Sequence, residues 1–205
     1  MTPPPSPERQ LVAALGKRRI EMVVIGGSAG GVDALVSLLP GLPSSFTPSV
    51  ACILHVPADR ESRLADVFAL RAALPVREAR DKEPILPGTV YFAGSGYHLS
   101  VENDRSFSLS CEAPVQYARP AIDILMESAA DVYGDALAGI LLTGANYDGA
   151  DGMCRIRENG GLTIVQDPEE AQASTMPEEA IRRCAPHLVL PLAAIRAVLP
   201  LLETP

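Results

Sequence analysis

The chain has 205 residues, a length that suits one domain and buries roughly 70% of the unfolded chain's surface without staples. Apolar residues make up 47% and charged residues 20%, which excludes general disorder. Lys plus Arg number 17 against 25 for Asp plus Glu, and aromatics are 4% with no Trp, so both the phosphate attraction and the stacking platform of a nucleic-acid binder are missing.

Taken in chain order, Thr2 to Glu8 reads as a Pro-rich leader, and Leu11 to Gly16 as a short helix before Lys17-Arg18-Arg19. Ile20 to Ile25 is an apolar, β-branched run ending at glycines, the pattern of a strand buried on both faces of a parallel sheet. Val32 to Leu39 fits a helix stopped by Pro40, and Val50 to Val56 a second buried strand. Arg60 to Leu74 reads as an amphipathic helix with Leu64, Val67, Phe68 and Leu70 on its apolar side. Thr89 to Ala93 is a strand; His98 to Val101 and Ser106 to Ser110 flank Asn103-Asp104-Arg105 as an antiparallel hairpin. Pro120 to Tyr133 is a helix with Pro at its start and Gly134 after its end. Leu137 to Leu142 is a third strongly apolar strand; Gly149 to Glu158 is a helix, and Leu162 to Val165 a further strand. A helix from Pro177 through Cys184, a short strand Leu188 to Leu190 and a helix Leu192 to Leu202 complete the chain. The alternation predicts an α/β fold: a doubly wound, mainly parallel sheet with helices on both faces and a small antiparallel hairpin. Residues 1–19 are read as a flexible leader and residues 20–205 as the one folded domain.

Cys52, Cys111, Cys154 and Cys184 form no Cys-x-x-Cys pair and no Cys/His cluster, so they read as small buried hydrophobes in a reducing cytosol. Zinc and redox sites therefore have little support. There is no signal-peptide pattern and no run near the ~18 apolar residues of a membrane span, so a cytoplasmic protein that is not membrane-inserted is expected.

Ligands of such folds sit at the carboxyl ends of the strands. The first strand ends in Gly26-Gly27-Ser28-Ala29-Gly30-Gly31, the second in His55, and the strand at 137–142 runs into Thr143-Gly144-Ala145-Asn146-Tyr147-Asp148-Gly149. A serine, a histidine and an aspartate thus share one sheet edge. A hydroxyl needs a base to become a nucleophile, and a base imidazole needs a carboxylate to hold its tautomer. Ser28 lies in a Gly-x-Ser-x-Gly window whose small neighbours permit a sharp turn with backbone N–H groups aimed at an oxyanion; Ala29 and Ala145 are the donor candidates. Each residue also has a plain structural reading: a glycine turn that packs a helix on a strand, a satisfied histidine, and an aspartate capping the next helix. The order Ser, His, Asp departs from that of α/β-hydrolases. A dinucleotide fingerprint would need glycine at Ser28, and no Gly-Lys-Ser/Thr follows for a phosphate loop. His98 and His187 read as structural or surface groups.

These residues, with Leu54-His55-Val56-Pro57, Leu86-Pro87-Gly88, Arg119-Pro120 with Asp123, Asp148-Gly149-Ala150-Asp151-Gly152 and Met176-Pro177, resemble the catalytic domain of the CheB chemoreceptor methylesterases from about Glu21 to about Leu202. The resemblance implies that residues 20–205 are a CheB-like catalytic domain, with Ser28 as nucleophile, His55 as general base, Asp148 as its orienter, and Arg119 and Met176 on the substrate side, a structural salt bridge being an equal reading of Arg119. It implies hydrolysis of γ-glutamyl methyl esters on the cytoplasmic domains of methylated chemoreceptors, an ability to deamidate particular receptor glutamines as well, and no cofactor and no metal. The family's usual phosphoreceiver domain has no counterpart in the roughly 20 residues before the first strand, and a regulatory protein acting in trans stays open. Ala145-Asn146 stand where the family usually has Met-Gly, and Ala118 where a histidine often precedes Arg-Pro. A serine esterase or amidase of the same fold acting on another substrate, and a non-catalytic regulatory module, stay open as alternatives.

Overall fold

The computed structural model describes residues 5–55 and 63–203. The stretch Met22–Gly27 forms β1, buried along its whole length. A strand buried on both faces needs paired neighbours at both edges and a helical layer on each side. Both are present: β1 pairs in parallel with β2 (Ser49–Leu54) and with β7 (Leu137–Leu141). Beyond β2 lie β4 (Val90–Phe92) and β3 (Val76–Glu78); beyond β7 lie β8 (Leu162–Gln166) and β9 (Leu188–Leu190). The seven-stranded parallel sheet therefore has the order β3-β4-β2-β1-β7-β8-β9. The separate β5 (His98–Val101) and β6 (Phe107–Ser110) form the antiparallel hairpin foreseen in the sequence.

Alternate side chains along each central strand feed two cores. Val23 and Ile25 face one side, with α1 (Pro7–Leu15), α2 (Gly31–Leu38) and α7 (Leu192–Val198). Met22 and Val24 face the other, with α4 (Ile122–Tyr133), α5 (Ala150–Glu158), α6 (Thr175–Cys184) and the hairpin. From β1 the chain turns to β2 on one flank, while from β7 it proceeds to β8 on the other. The topological switch point thus falls between β1 and β7, and the crevice above their carboxyl ends is where this architecture opens for ligands.

Four expectations need correction or refinement. Helix α3 spans only Leu64–Ala69; Phe68 is buried, but Leu70 is 89% exposed and Val67 40%, so the apolar stripe is shorter than its periodicity implied. The chain then extends through Pro75 into β3, a three-residue edge strand too short and too polar to announce itself. The starts at Arg60 and the end at Val56 lie outside the described residues. Cys154 and Cys184 are not separate thiols: they form a disulfide between α5 and α6 with their Cα atoms 4.8 Å apart, and Cys111 is exposed. Two cysteines 30 residues apart become neighbours because the two helices pack side by side, which spacing alone does not reveal. Only Cys52 keeps the expected form, a buried thiol whose pKa burial drives far upward. Within the stretch read as a leader, α1 places Leu11 fully inside the core against α7 and β9.

Candidate active site

Ser28 and His55 are each the first residue beyond neighbouring strands. The register pairs Gly27 with Leu54, and His55 N–H donates to the Gly27 carbonyl at 3.3 Å, so the two residues stand side by side at about the spacing of adjacent strands, ~5 Å. On the other flank the Ser28 N–H donates to the Thr143 carbonyl at 2.9 Å. Gly30 (φ +81°) then reverses the chain so that Gly31–Leu38 starts as α2 over the strand end, a backbone conformation that favours glycine.

Asp148 arrives on the loop after β7. It does not cap α5, whose N-cap is Gly149 in a left-handed conformation. Its carboxylate instead lies fully buried at the amino end of α4: Oδ2 accepts the Ile122 N–H at 2.7 Å and Oδ1 the Asp123 N–H at 2.9 Å. These are the first amides of the helix, which have no intrahelical acceptor and carry the positive end of its dipole. Oδ2 also lies 2.7 Å from His55 Nε2. Burial alone would raise the Asp148 pKa, but the hydrogen bonds from His55 and from the Asp123 and Ile122 amides outweigh it and hold the carboxyl below its usual range. An ionised Asp148 accepts, so His55 Nε2 carries the hydrogen and Nδ1 keeps the lone pair.

The Nδ1 atom lies 3.2 Å from Asn146 Nδ2, and Asn146 Oδ1 accepts the Asp148 N–H at 3.3 Å. Around the rim, the Thr143 hydroxyl donates to the Ala29 carbonyl at 2.8 Å and accepts the Ala173 N–H at 2.9 Å, tying the loop after β1 to the segment before α6. The Thr143 N–H is in turn held by Gln166 Oε1 at 2.9 Å. Ala29 and Ala145 are exposed, and among the described residues their N–H groups donate to nothing. Arg119 gives its Nη1 to the carbonyls of Cys111 and Glu112, at 3.0 and 2.9 Å, and so braces the approach to α4. Met176 is a correction: it is fully buried beneath Gly144, leaving its side chain no surface for a substrate. His98 is structural, as read: it is buried, and its ring links the Ala113 carbonyl and the Ala121 N–H.

A second carboxyl adjoins the site. Asp123 accepts the Gly152 N–H at 2.8 Å and Gln116 Nε2 at 3.3 Å. Burial, together with the Asp148 charge, pushes its pKa up to about 7, while an aspartate in the unfolded chain titrates near ~4. The folded state therefore holds a proton that the unfolded state loses between about 4 and 7. Stability from this group is complete below about pH 4 and is lost as pH rises through 7. Asp123→Asn removes this titration, so its melting temperature should gain on the wild type from pH 5 to pH 8. A difference that does not vary with pH would contradict the assignment.

The family model described as CheB methylesterase matches residues 23–199. The chain belongs to the CheB methylesterase family. A Leptospira interrogans relative is 42% identical over 175 residues, covering 85% of this chain and 91% of its own length. Protein-glutamate methylesterase/protein-glutamine glutaminase 1 of Carboxydothermus hydrogenoformans is 41% identical over 186 residues, which cover 88% of this chain but 55% of that protein. The crystal structure of the Thermotoga maritima CheB methylesterase catalytic domain superposes with a TM-score of 0.84 at 32% identity, covering 89% of this chain and 98% of that one.

Thr143, Gln166 and the α4 amides went unassigned in the sequence, and Asn146 and Asp123 appeared there only as points of comparison with the CheB family. Thr143 and Gln166 leave a trace, polar residues at the ends of otherwise apolar strands. The helix amides leave none, because backbone donors carry no sequence signature.

Proposed function

We propose that the chain is a protein-glutamate methylesterase that hydrolyses γ-glutamyl methyl esters on the cytoplasmic domains of chemoreceptors, working in the cytoplasm, and deamidates receptor glutamines by the same route. The observation that carries this reading is the buried Asp148 carboxylate orienting His55 through Nε2, with Ser28 beside it in register. Ser28 Oγ attacks the ester carbonyl while His55 Nδ1 takes its proton, and the imidazolium is stabilised by Asp148. The Ala29 and Ala145 N–H groups receive the developing oxyanion. Collapse of the tetrahedral intermediate breaks the bond to the methoxy oxygen, which leaves as methanol with the proton from His55. Water then gives a proton to His55 and its hydroxyl to the acyl carbon, the bond from that carbon to Ser28 Oγ breaks, and His55 returns the proton to Oγ as the glutamate leaves. For glutamine the leaving group is ammonia. The family match and the named relatives support the activity.

The test is methanol release from methylated chemoreceptor membranes beside hydrolysis of a panel of small esters. Release from the receptor, at a kcat/KM well above that for small esters, is the expected result. Rapid turnover of small esters with none of the receptor would replace this substrate class with another.

A further inference from the structure

We infer that Asn146 is a positioning residue that holds the base nitrogen of His55 in the free enzyme and must leave it before Ser28 can be deprotonated. The inference rests on the catalytic reading of Ser28, His55 and Asp148 proposed above. His55 has two ring nitrogens, and Asp148 takes Nε2 at 2.7 Å. The remaining lone pair, on Nδ1, is the one a general base must offer. It faces Asn146 Nδ2 at 3.2 Å, and among the described residues no hydrogen bond joins it to Ser28. The amide's orientation is set independently of His55: Oδ1 accepts the Asp148 N–H at 3.3 Å, which directs the NH2 group at the ring. Turned the other way, two lone pairs would face each other and two donors would meet at the Asp148 amide.

A donor on Nδ1 competes directly with the Ser28 hydroxyl, because a ring nitrogen has one lone pair in the ring plane. Asn146 sits on an exposed stretch, with Ala145 and Tyr147 both open to solvent, so a substrate laid across Ala145 reaches its amide without disturbing the core. A glutamyl carbonyl, or the amide of a glutamine, is a partner that can draw the Asn146 NH2 away. The free enzyme is thereby held slow, and substrate contact at the same loop releases the base.

The experiment measures the rate at which a small fluorophosphonate labels the full-length protein, for wild type, Asn146→Ala, the similarly sized but non-donating Asn146→Leu, and Ser28→Ala. Such a reagent needs His55 as base but is too small to displace Asn146 through loop contacts. Removing one competing hydrogen bond should raise the labelling rate roughly three- to tenfold in both Asn146 variants, with no labelling of Ser28→Ala. Equal or slower labelling of folded Asn146 variants, with wild type labelled and Ser28→Ala not, overturns the inference and leaves the triad standing. Labelling that persists in Ser28→Ala, or none in any protein, overturns the triad reading and this inference with it. A nuclear Overhauser contact between the Asn146 amide protons and the His55 Hε1 of the free wild type is also expected. Its absence overturns the inference even if neither variant folds.

Discussion

Ser28→Ala is expected to cut methanol release by roughly 10⁴–10⁶-fold, while changing stability by no more than about 0.5 kcal/mol. The size follows from chemistry: without the hydroxyl no acyl-enzyme forms, and only binding and the oxyanion amides remain to assist water. The small effect on stability follows from the structure. The contacts Ser28 makes to its neighbours run through its backbone, from its N–H to Thr143 and from the Gly31 N–H to its carbonyl, at 2.9 and 2.8 Å, and alanine keeps both. Methanol release and a thermal melt on the same preparation check the two halves together. A loss smaller than tenfold in a folded variant would remove Ser28 from the role of nucleophile.

Asp148→Asn should be nearly as damaging to the reaction, about 10⁴-fold, and unlike Ser28→Ala it should also weaken the fold. The carboxylate accepts three donors at once, His55 Nε2–H and the N–H groups of Ile122 and Asp123. An asparagine supplies one acceptor oxygen and turns an NH2 group toward the others. With the oxygen in the Oδ1 position only the Asp123 N–H keeps its acceptor, the NH2 group faces both the Ile122 N–H and Nε2, and His55 must move its hydrogen to Nδ1 and lose the lone pair the reaction needs. With the oxygen in the Oδ2 position His55 and the Ile122 N–H keep an acceptor that has lost its charge, and the buried Asp123 N–H is left facing a donor. One such orphaned group costs about 1–3 kcal/mol, read as a lower denaturation midpoint. Full activity with unchanged stability would show that the carboxylate neither orients His55 nor anchors α4. The wild type is expected to lose stability in acid for the same reason. The low folded pKa of Asp148 contributes stability that is present above the unfolded value near ~4 and is lost as pH falls through the folded one.

The comparison between these two residues shows what a reading of residue types reaches. Ser28 stood out because a buried strand ends there in small residues, and His55 and Asp148 because they recur at the same edge of the same sheet, where the structure places them. What Asp148 does was only half legible. Its partnership with a histidine is a side-chain matter, but its anchorage on the first turn of α4 depends on backbone amides 25 and 26 residues away. Met176 and the Cys154–Cys184 pair failed for a related reason, since burial and helix-to-helix contact are properties of packing.

By itself, the sequence determined the parallel α/β class, the succession of helices and of every strand except β3, and the placement of Ser28, His55 and Asp148 beyond strand ends. Those follow from local forces: uniformly apolar, β-branched runs must be buried on both faces, and the glycines after β1 permit the tight turn into α2. Tertiary structure alone decided that β7 returns to the flank of β1 opposite β2, so that the switch point brings three distant loops together. It also decided that Asp148 lies under a helix end, that Asn146 faces the base nitrogen, and that α3 is short enough to leave room for β3. Each depends on which surfaces meet in space, and single-chain periodicity carries no information about a partner that lies a hundred residues away.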